Sequence, residues 1–318
     1  MKPDAPKGVI VAGGATSQLL GIAIVKYFEK QGTELELYYE PSPLAHTKDF
    51  AFKGIIRYQQ FYSIGRLDRY FPKQFAFLLK PTRHIHRFFT HVVKLFGDSS
   101  QEEPSNYFSC LFSGRIINIV KWNPETGMLY GEIWAGIVGK VAKELELFFE
   151  GSNLENPFGT KDGIQDNISI HYRLGDMRTD RSWRKSHGVL DPTSICERVV
   201  EIQAAATTRL PIIVYSDEPE IAKLLMESAG MMNCQYSEPL DIWGDIKRMS
   251  NSTHFIGSFS TVSLVVAEIR TSHGLSSNNL PLNCRKYRVT QELENASYFE
   301  ARILPVTHQI YKTILPIS

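Results

Sequence analysis

Three times in its second half this chain repeats one pattern: a short apolar, β-rich run stops abruptly in polar residues, and a helical pattern follows. Ile168-Ser169-Ile170 leads into His171-Tyr172-Arg173-Leu174-Gly175-Asp176. Pro211-Ile212-Ile213-Val214-Tyr215 ends in Ser216-Asp217-Glu218-Pro219-Glu220, and His254-Phe255-Ile256 turns through Gly257-Ser258-Phe259-Ser260-Thr261 into Val262–Ala267. Such runs, bounded by turn residues and alternating with helical segments, read as buried strands of a parallel sheet and place the chain in the α/β class. In open α/β sheets the residues at the carboxyl ends of the strands collect along one edge, and ligands bind there.

Each loop carries its own chemistry beside a plainer reading. Arg173 offers a planar fork of donors that matches phosphate oxygens. Gly175 lets the backbone turn, and Asp176 can hold the Arg or the loop. The plainer reading is a surface ion pair between Arg173 and Asp176, worth little. Asp217 can cap the helix that opens with Pro219 and Glu220, or accept two N–H bonds from a guanine edge, with Glu218 as its neighbouring substitute. Ser258 or Ser260 can be an ordinary cap, or can join Thr261 and the unpaired amides of a helix start as an anion cradle. Three such units in succession describe a nucleotide site.

The first half opens in the same style. Gly8–Ala12 reads as a strand, roughly 16–31 as a helix and Glu34–Tyr39 as a second strand, a βαβ start that predicts another α/β domain with a parallel sheet. Residues 151–166 (GSNLENPFGTKDGIQD) are rich in Gly, Asn, Pro and acids and mark a linker. The expectation is therefore two domains, 1–160 and 161–318, which a chain of 318 residues can accommodate.

Net charge narrows the partners. At +1, with 22% charged residues, the chain lacks the strongly basic balance of a nucleic-acid-binding domain. No apolar segment approaches transmembrane length, and the N-terminal apolar region lacks the h-region of a signal peptide. Cys110, Cys196, Cys234 and Cys284 are widely spaced, without metal-ligand spacing, and read as reduced thiols in a cytoplasmic protein. Residues 66–94 stand apart: Arg66, Arg69, Lys73, Lys80, Arg83, Arg87 and Lys94 alternate with Phe71, Phe75, Phe77, Phe88 and Phe89 around a single acid, Asp68. That stretch suits either the solvated basic face of a core helix, which periodicity favours, or peripheral contact with an anionic membrane surface.

The run HYRLGD resembles the H-x-R-x-G-D motif of the α-1,2-, α-1,6- and protein O-fucosyltransferase superfamily. VYSDE and FIGSFSTVSLVVAEIR follow in the order of that superfamily's strand-plus-acid segment and its donor-binding loop and helix. Gly13-Gly14-Ala15-Thr16-Ser17-Gln18 is similar to the turn that opens bacterial α-1,2-fucosyltransferases, with Ser17 where those enzymes carry Asn, and Leu174 stands where many members have a second Arg. The resemblance implies a GT-B-like fold, two Rossmann-type α/β domains facing across a cleft. It implies an inverting, metal-independent transfer of L-fucose from GDP-fucose to a glycan hydroxyl in α-1,2 linkage, with no cofactor beyond the donor substrate. The acceptor would belong to polysaccharide biosynthesis, a lipid-linked glycan if residues 66–94 touch a membrane. By the same resemblance Arg173 and Asp176 would serve catalysis, while His171, Arg173, Asp217, Ser258, Ser260 and Thr261 would hold the GDP-sugar.

Two other classes fit parts of the sequence. Val9–Thr16, a strand running into glycines, is also how an NAD(P)-binding oxidoreductase begins, although G-x-G-x-x-G spacing is not met and no Tyr-x-x-x-Lys pair occurs. The glycines then more naturally pack a helix close to a strand. The third class is a nucleotide-sugar-binding protein without catalysis, since a fold and a pocket do not establish turnover.

Overall fold

The computed structural model of the chain describes residues 8–12, 14–40, 52, 57–60, 116–118, 149, 163–179, 188–238, 242–275, 278–281, 296–305 and 308–314. The basic aromatic stretch 66–94, the boundary expected at 160/161, and Cys110 and Cys284 lie outside the described residues. The chain divides into two compact units, Met1–Thr126 and Gly127–Ser318.

In the first unit, β1 (Gly8–Ala12), α1 (Ala15–Lys30) and β2 (Glu36–Glu40) form the βαβ start, joined by β3 (Gln59–Gln60) and β4 (Ile116–Asn118). The sheet runs β3-β2-β1-β4 and every described pairing is parallel. Val9, Ile10 and Val11 are at most 1% exposed, as a central strand covered on both faces requires. Helix α1 starts one residue earlier than its apolar pattern suggests, because extended Gly14 serves as the N-cap. A Cβ added to Gly14 would meet nothing within 4 Å, whereas one on Gly8 would lie 2.7 Å from the Tyr38 ring. The close backbone approach therefore belongs to Gly8 on β1, between strands, and not to Gly14.

The second unit carries β5 (Gln165–His171), α2 (Gly175–Thr179), α3 (Pro192–Ala205), β6 (Ile212–Tyr215), α4 (Pro219–Ser228), β7 (Gln235–Tyr236), α5 (Ile242–Ser250), β8 (Ser252–Ile256), α6 (Thr261–Ser272), β9 (Asn278–Pro281), β10 (Ala296–Phe299) and α7 (Gln309–Thr313). Its six strands run β10-β9-β8-β5-β6-β7, and all described pairings are parallel. From β5 the chain builds outward through β6 and β7, then returns to lay β8, β9 and β10 on the other side. That is the order of a doubly wound Rossmann sheet, and its topological switch point falls between β5 and β8. Both units are thus α/β with parallel sheets, as the strand–helix alternation predicts.

Ile168, Ile170, Tyr172, Leu174, Val214 and Ile256 form the centre of the second core, all at most 1% exposed. Asn167 is 5% exposed within β5, so the glycosylation sequon it begins is closed in the folded protein. Helix α6 is buried from Val262 to Arg270, which explains why the run Leu264–Ala267 shows no polar face. Two charged side chains share that burial. Glu268 is 2% exposed and its Oε1 has no hydrogen-bond partner among the described residues.

Burial raises the Glu268 carboxyl from 4.5 to about 8. Between those values the folded state binds more protons than the unfolded state, so stability falls as pH rises through that window. Glu268→Gln is expected to match the wild type near pH 4, below both values, and to exceed it near pH 9, read by denaturant unfolding at roughly those two values. Equal pH dependence in both proteins would show that the carboxylate finds a partner on ionising.

Candidate functional site

Parallel strands send alternate backbone groups to their left and right neighbours, and β5 sits between β6 and β8. At its carboxyl end this alternation continues past the last paired residues. Tyr172 N–H donates to the Tyr215 carbonyl of β6 at 2.8 Å. Arg173 N–H then turns to the β8 side and donates to Ser258 Oγ at 3.1 Å. Leu174 N–H turns back to the β6 side and donates to Asp217 Oδ1 at 2.9 Å. Side-chain oxygens stand where strand carbonyls would be, so the loop after β5 is suspended between the loops of its two neighbours. The three segments singled out in the sequence thus converge at one edge of the sheet.

The side chain of Arg173 lies 20% exposed between two carboxylates. Its Nε donates to Asp176 Oδ1 at 3.0 Å and lies 3.4 Å from Asp217 Oδ2. Its NH2 is 3.0 Å from Asp176 Oδ1. Beside it, Arg178 of α2 grips Glu218 with a two-pronged contact, Nε to Oε2 at 2.8 Å and NH2 to Oε1 at 2.6 Å. Glu218, the alternative guanine reader, is therefore occupied in tying α2 to the β6–α4 loop. Asp217 makes no side-chain cap to α4; it holds Leu174 and Arg173 instead.

Gly175 is required by contact, not by a turn. A Cβ there would sit 2.4 Å from Asp217 Oδ2, and that carboxylate is already fixed by the Leu174 amide. Gly175→Ala is expected to push Asp217 off both Leu174 and Arg173. Loss of one charged hydrogen bond of this kind predicts a roughly tenfold or greater loss of anionic-ligand affinity, read by titration calorimetry. Unchanged affinity would mean that the Asp217 clamp is dispensable.

His171 closes the β8 side of the site. It is 7% exposed, and its Nδ1 lies 2.7 Å from Ser263 Oγ and 3.4 Å from Ser258 Oγ. Burial first, and the positive Arg173 second, push its pKa from 6.5 down to about 3, so the ring is neutral at physiological pH. Ser260 caps α6, accepting Val262 N–H at 3.2 Å. Thr261 begins that helix and is partly exposed. Ser258 and Ser260 each accept one backbone N–H, which leaves their hydroxyl hydrogens to donate.

Of the residues expected from the sequence, His171, Arg173, Asp176, Asp217 and Ser258 belong to one connected hydrogen-bonded group, with Ser260 and Thr261 at the helix start beside it. Ser263, Arg178 and Glu218 complete the arrangement. Ser263 had a legible signal, being the one hydroxyl inside an apolar helical run where every side chain is buried. Among the described residues, no group of three or more His, Cys, Asp or Glu is placed to hold a metal ion, and no helix is long and apolar enough to cross a membrane.

No family model and no curated protein sequence matches the chain. Solved structures similar to it include POFUT1 in complex with GDP, at 12% identity over 83% of this chain and 95% of that one, with a TM-score of 0.33. The NodZ α-1,6-fucosyltransferase co-crystallised with GDP follows at 13% identity, 84% and 92% coverage and a TM-score of 0.33. A UDP-GlcNAc 2-epimerase from Methanocaldococcus jannaschii has 12% identity, 92% and 89% coverage and a TM-score of 0.38. At these values the similarity assigns no residue a role.

Proposed function

We propose that this chain is a glycosyltransferase of GT-B type that binds GDP-fucose at the switch point of its second unit and transfers fucose to a glycan hydroxyl. One observation carries the reading: the guanidinium of Arg173 stands at the carboxyl end of β5, on the edge of the switch point, with its own amide fixed by Ser258. Ligands of doubly wound sheets bind at that position. The helix start of α6, with Ser258, Ser260 and Thr261, lies on the β8 side and supplies the dipole and donors that suit a diphosphate.

As the bond from the anomeric carbon to the diphosphate breaks, negative charge grows on the β-phosphate. Arg173 and the hydroxyls at the α6 start would stabilise that charge more in the transition state than in the ground state. Asp176 holds the guanidinium before the donor arrives, and binding exchanges that bond for phosphate oxygens. Inversion at the anomeric carbon, an α-1,2 linkage and independence of metal belong to the same proposal, supported by the order of the HYRLGD, VYSDE and GSFST segments. A lipid-linked glycan fits as acceptor if residues 66–94 meet a membrane.

The test is calorimetric titration of the full chain with GDP, GDP-fucose, UDP and NAD⁺ in the presence of chelator. Binding of GDP and GDP-fucose alone supports the proposal. Binding of UDP would keep a nucleotide-sugar site and remove fucose. Binding of NAD⁺ would replace the proposal with the oxidoreductase reading, and GDP-fucose binding without transfer to any glycan would leave a binding protein.

A further inference from the structure

Ser263 carries no role in the sequence reading, yet it is 0% exposed and touches two parts of the site at once. Its Oγ accepts the Ser258 amide at 2.9 Å and lies 2.7 Å from His171 Nδ1. It makes no hydrogen bond to any helix carbonyl among the described residues. Its hydrogen therefore has one acceptor within reach, His171 Nδ1.

That count decides the state of the imidazole. If Nδ1 carried the proton, it would donate to Ser263, which would then accept two bonds while its own hydrogen stayed buried without a partner. A buried donor left unsatisfied is disfavoured. If Nδ1 is bare, Ser263 donates to it, Ser258 N–H is satisfied, and every polar group of the triad has a partner. The ring's proton then sits on Nε2, which makes no hydrogen bond among the described residues and belongs to a side chain retaining slight exposure.

We infer that Ser263 is a positioning residue that fixes His171 as its Nε2–H tautomer, presenting a neutral N–H donor to an oxygen of the ligand at the β5–β8 switch point. The ligand half of this inference rests on the donor-site reading above; the tautomer does not. Ser263 acts through His171 and through the Ser258 backbone, so its loss also loosens the hydroxyl that holds the Arg173 amide.

Long-range ¹H–¹⁵N correlation spectra of the full chain read the tautomer directly, with His171 assigned by its absence in His171→Gln. The wild type is expected to show the Nε2–H pattern near neutral pH. Ser263→Ala is expected to lose that single-tautomer pattern and to bind GDP about tenfold more weakly, as for one lost hydrogen bond, with Ser263→Thr restoring both. An Nδ1–H pattern in the wild type, or an unaltered His171 pattern in Ser263→Ala, overturns the inference. Failure of the wild type to bind GDP would sink the donor-site reading and leave the spectra to decide the tautomer. The wild-type spectrum stands even if the Ala variant does not fold.

Discussion

Arg173→Ala is expected to lower GDP-fucose turnover by about a hundredfold or more, the scale for removing one preorganised donor from a developing oxyanion. The loss should fall mainly on kcat, because the interaction strengthens as the leaving diphosphate gains charge. Arg173→Lys keeps a charge but loses the two-pronged geometry and is expected to recover only part of the rate. Position adds a second consequence. Arg173 lies between Asp176 and Asp217, so its removal sets two carboxylates beside one another. A fall in activity could then reflect their repulsion instead of a missing phosphate ligand. The double variant Arg173→Ala with Asp176→Asn separates the two. Recovery of turnover would mean that Arg173 only neutralises the acids; persistent loss is the expected result and places its donors on the diphosphate.

The sheet edge that carries this chemistry was legible because parallel strands are apolar throughout and stop suddenly. The run Ile168–Ile170, the run Ile212–Tyr215 and the run ending at Ile256 all stand as strands, and the polar residues after them meet. Short strands were not legible: β7 has two residues, Gln235 and Tyr236, and its existence depends on a neighbour to pair with. Side-chain partners far apart in sequence were equally hidden. No local pattern links Arg178 to Glu218, or tells whether Asp217 caps its own helix or reaches across to the Leu174 amide. Burial decides these cases, since an amide past the end of a strand must find an oxygen, and the nearest one came from the adjacent loop. Ser263 was readable in principle, as a hydroxyl inside the apolar run Val262–Ala267 has to be answered by something. What it answers, a histidine 92 positions away, required the fold.

The largest expected effect on stability comes from a residue outside the chemistry. Arg270 ends the buried run of α6 and is 0% exposed. Its NH1 donates to the carbonyls of Ser250, at 3.1 Å, and Ser252, and NH2 donates to Thr253 O at 3.0 Å. These oxygens belong to the turn between α5 and β8, so Arg270 stitches the far end of α6 to the start of the strand whose other end carries Ser258. Burial lowers its pKa from 12.5 to about 10, which leaves it charged at neutral pH. An isolated buried charge would be unfavourable, but three carbonyl dipoles aimed at the guanidinium offset that penalty. Arg270→Met fills most of the volume and removes the charge, yet strands those carbonyls without donors. The expected loss is about 3 kcal/mol or more, a fall in Tm on the order of 10 °C for a unit of this size.

Arg270→Lys should recover little, since an ammonium on a thinner stem cannot serve carbonyls on both sides of the turn. Amide hydrogen exchange distinguishes the cause: protection should drop first along Ser252–Ile256, with GDP affinity following as Ser258 loses its footing. A Tm equal to the wild type in Arg270→Met would mean that the α5–β8 turn satisfies its carbonyls by other means, and that the strand bearing the site is anchored elsewhere.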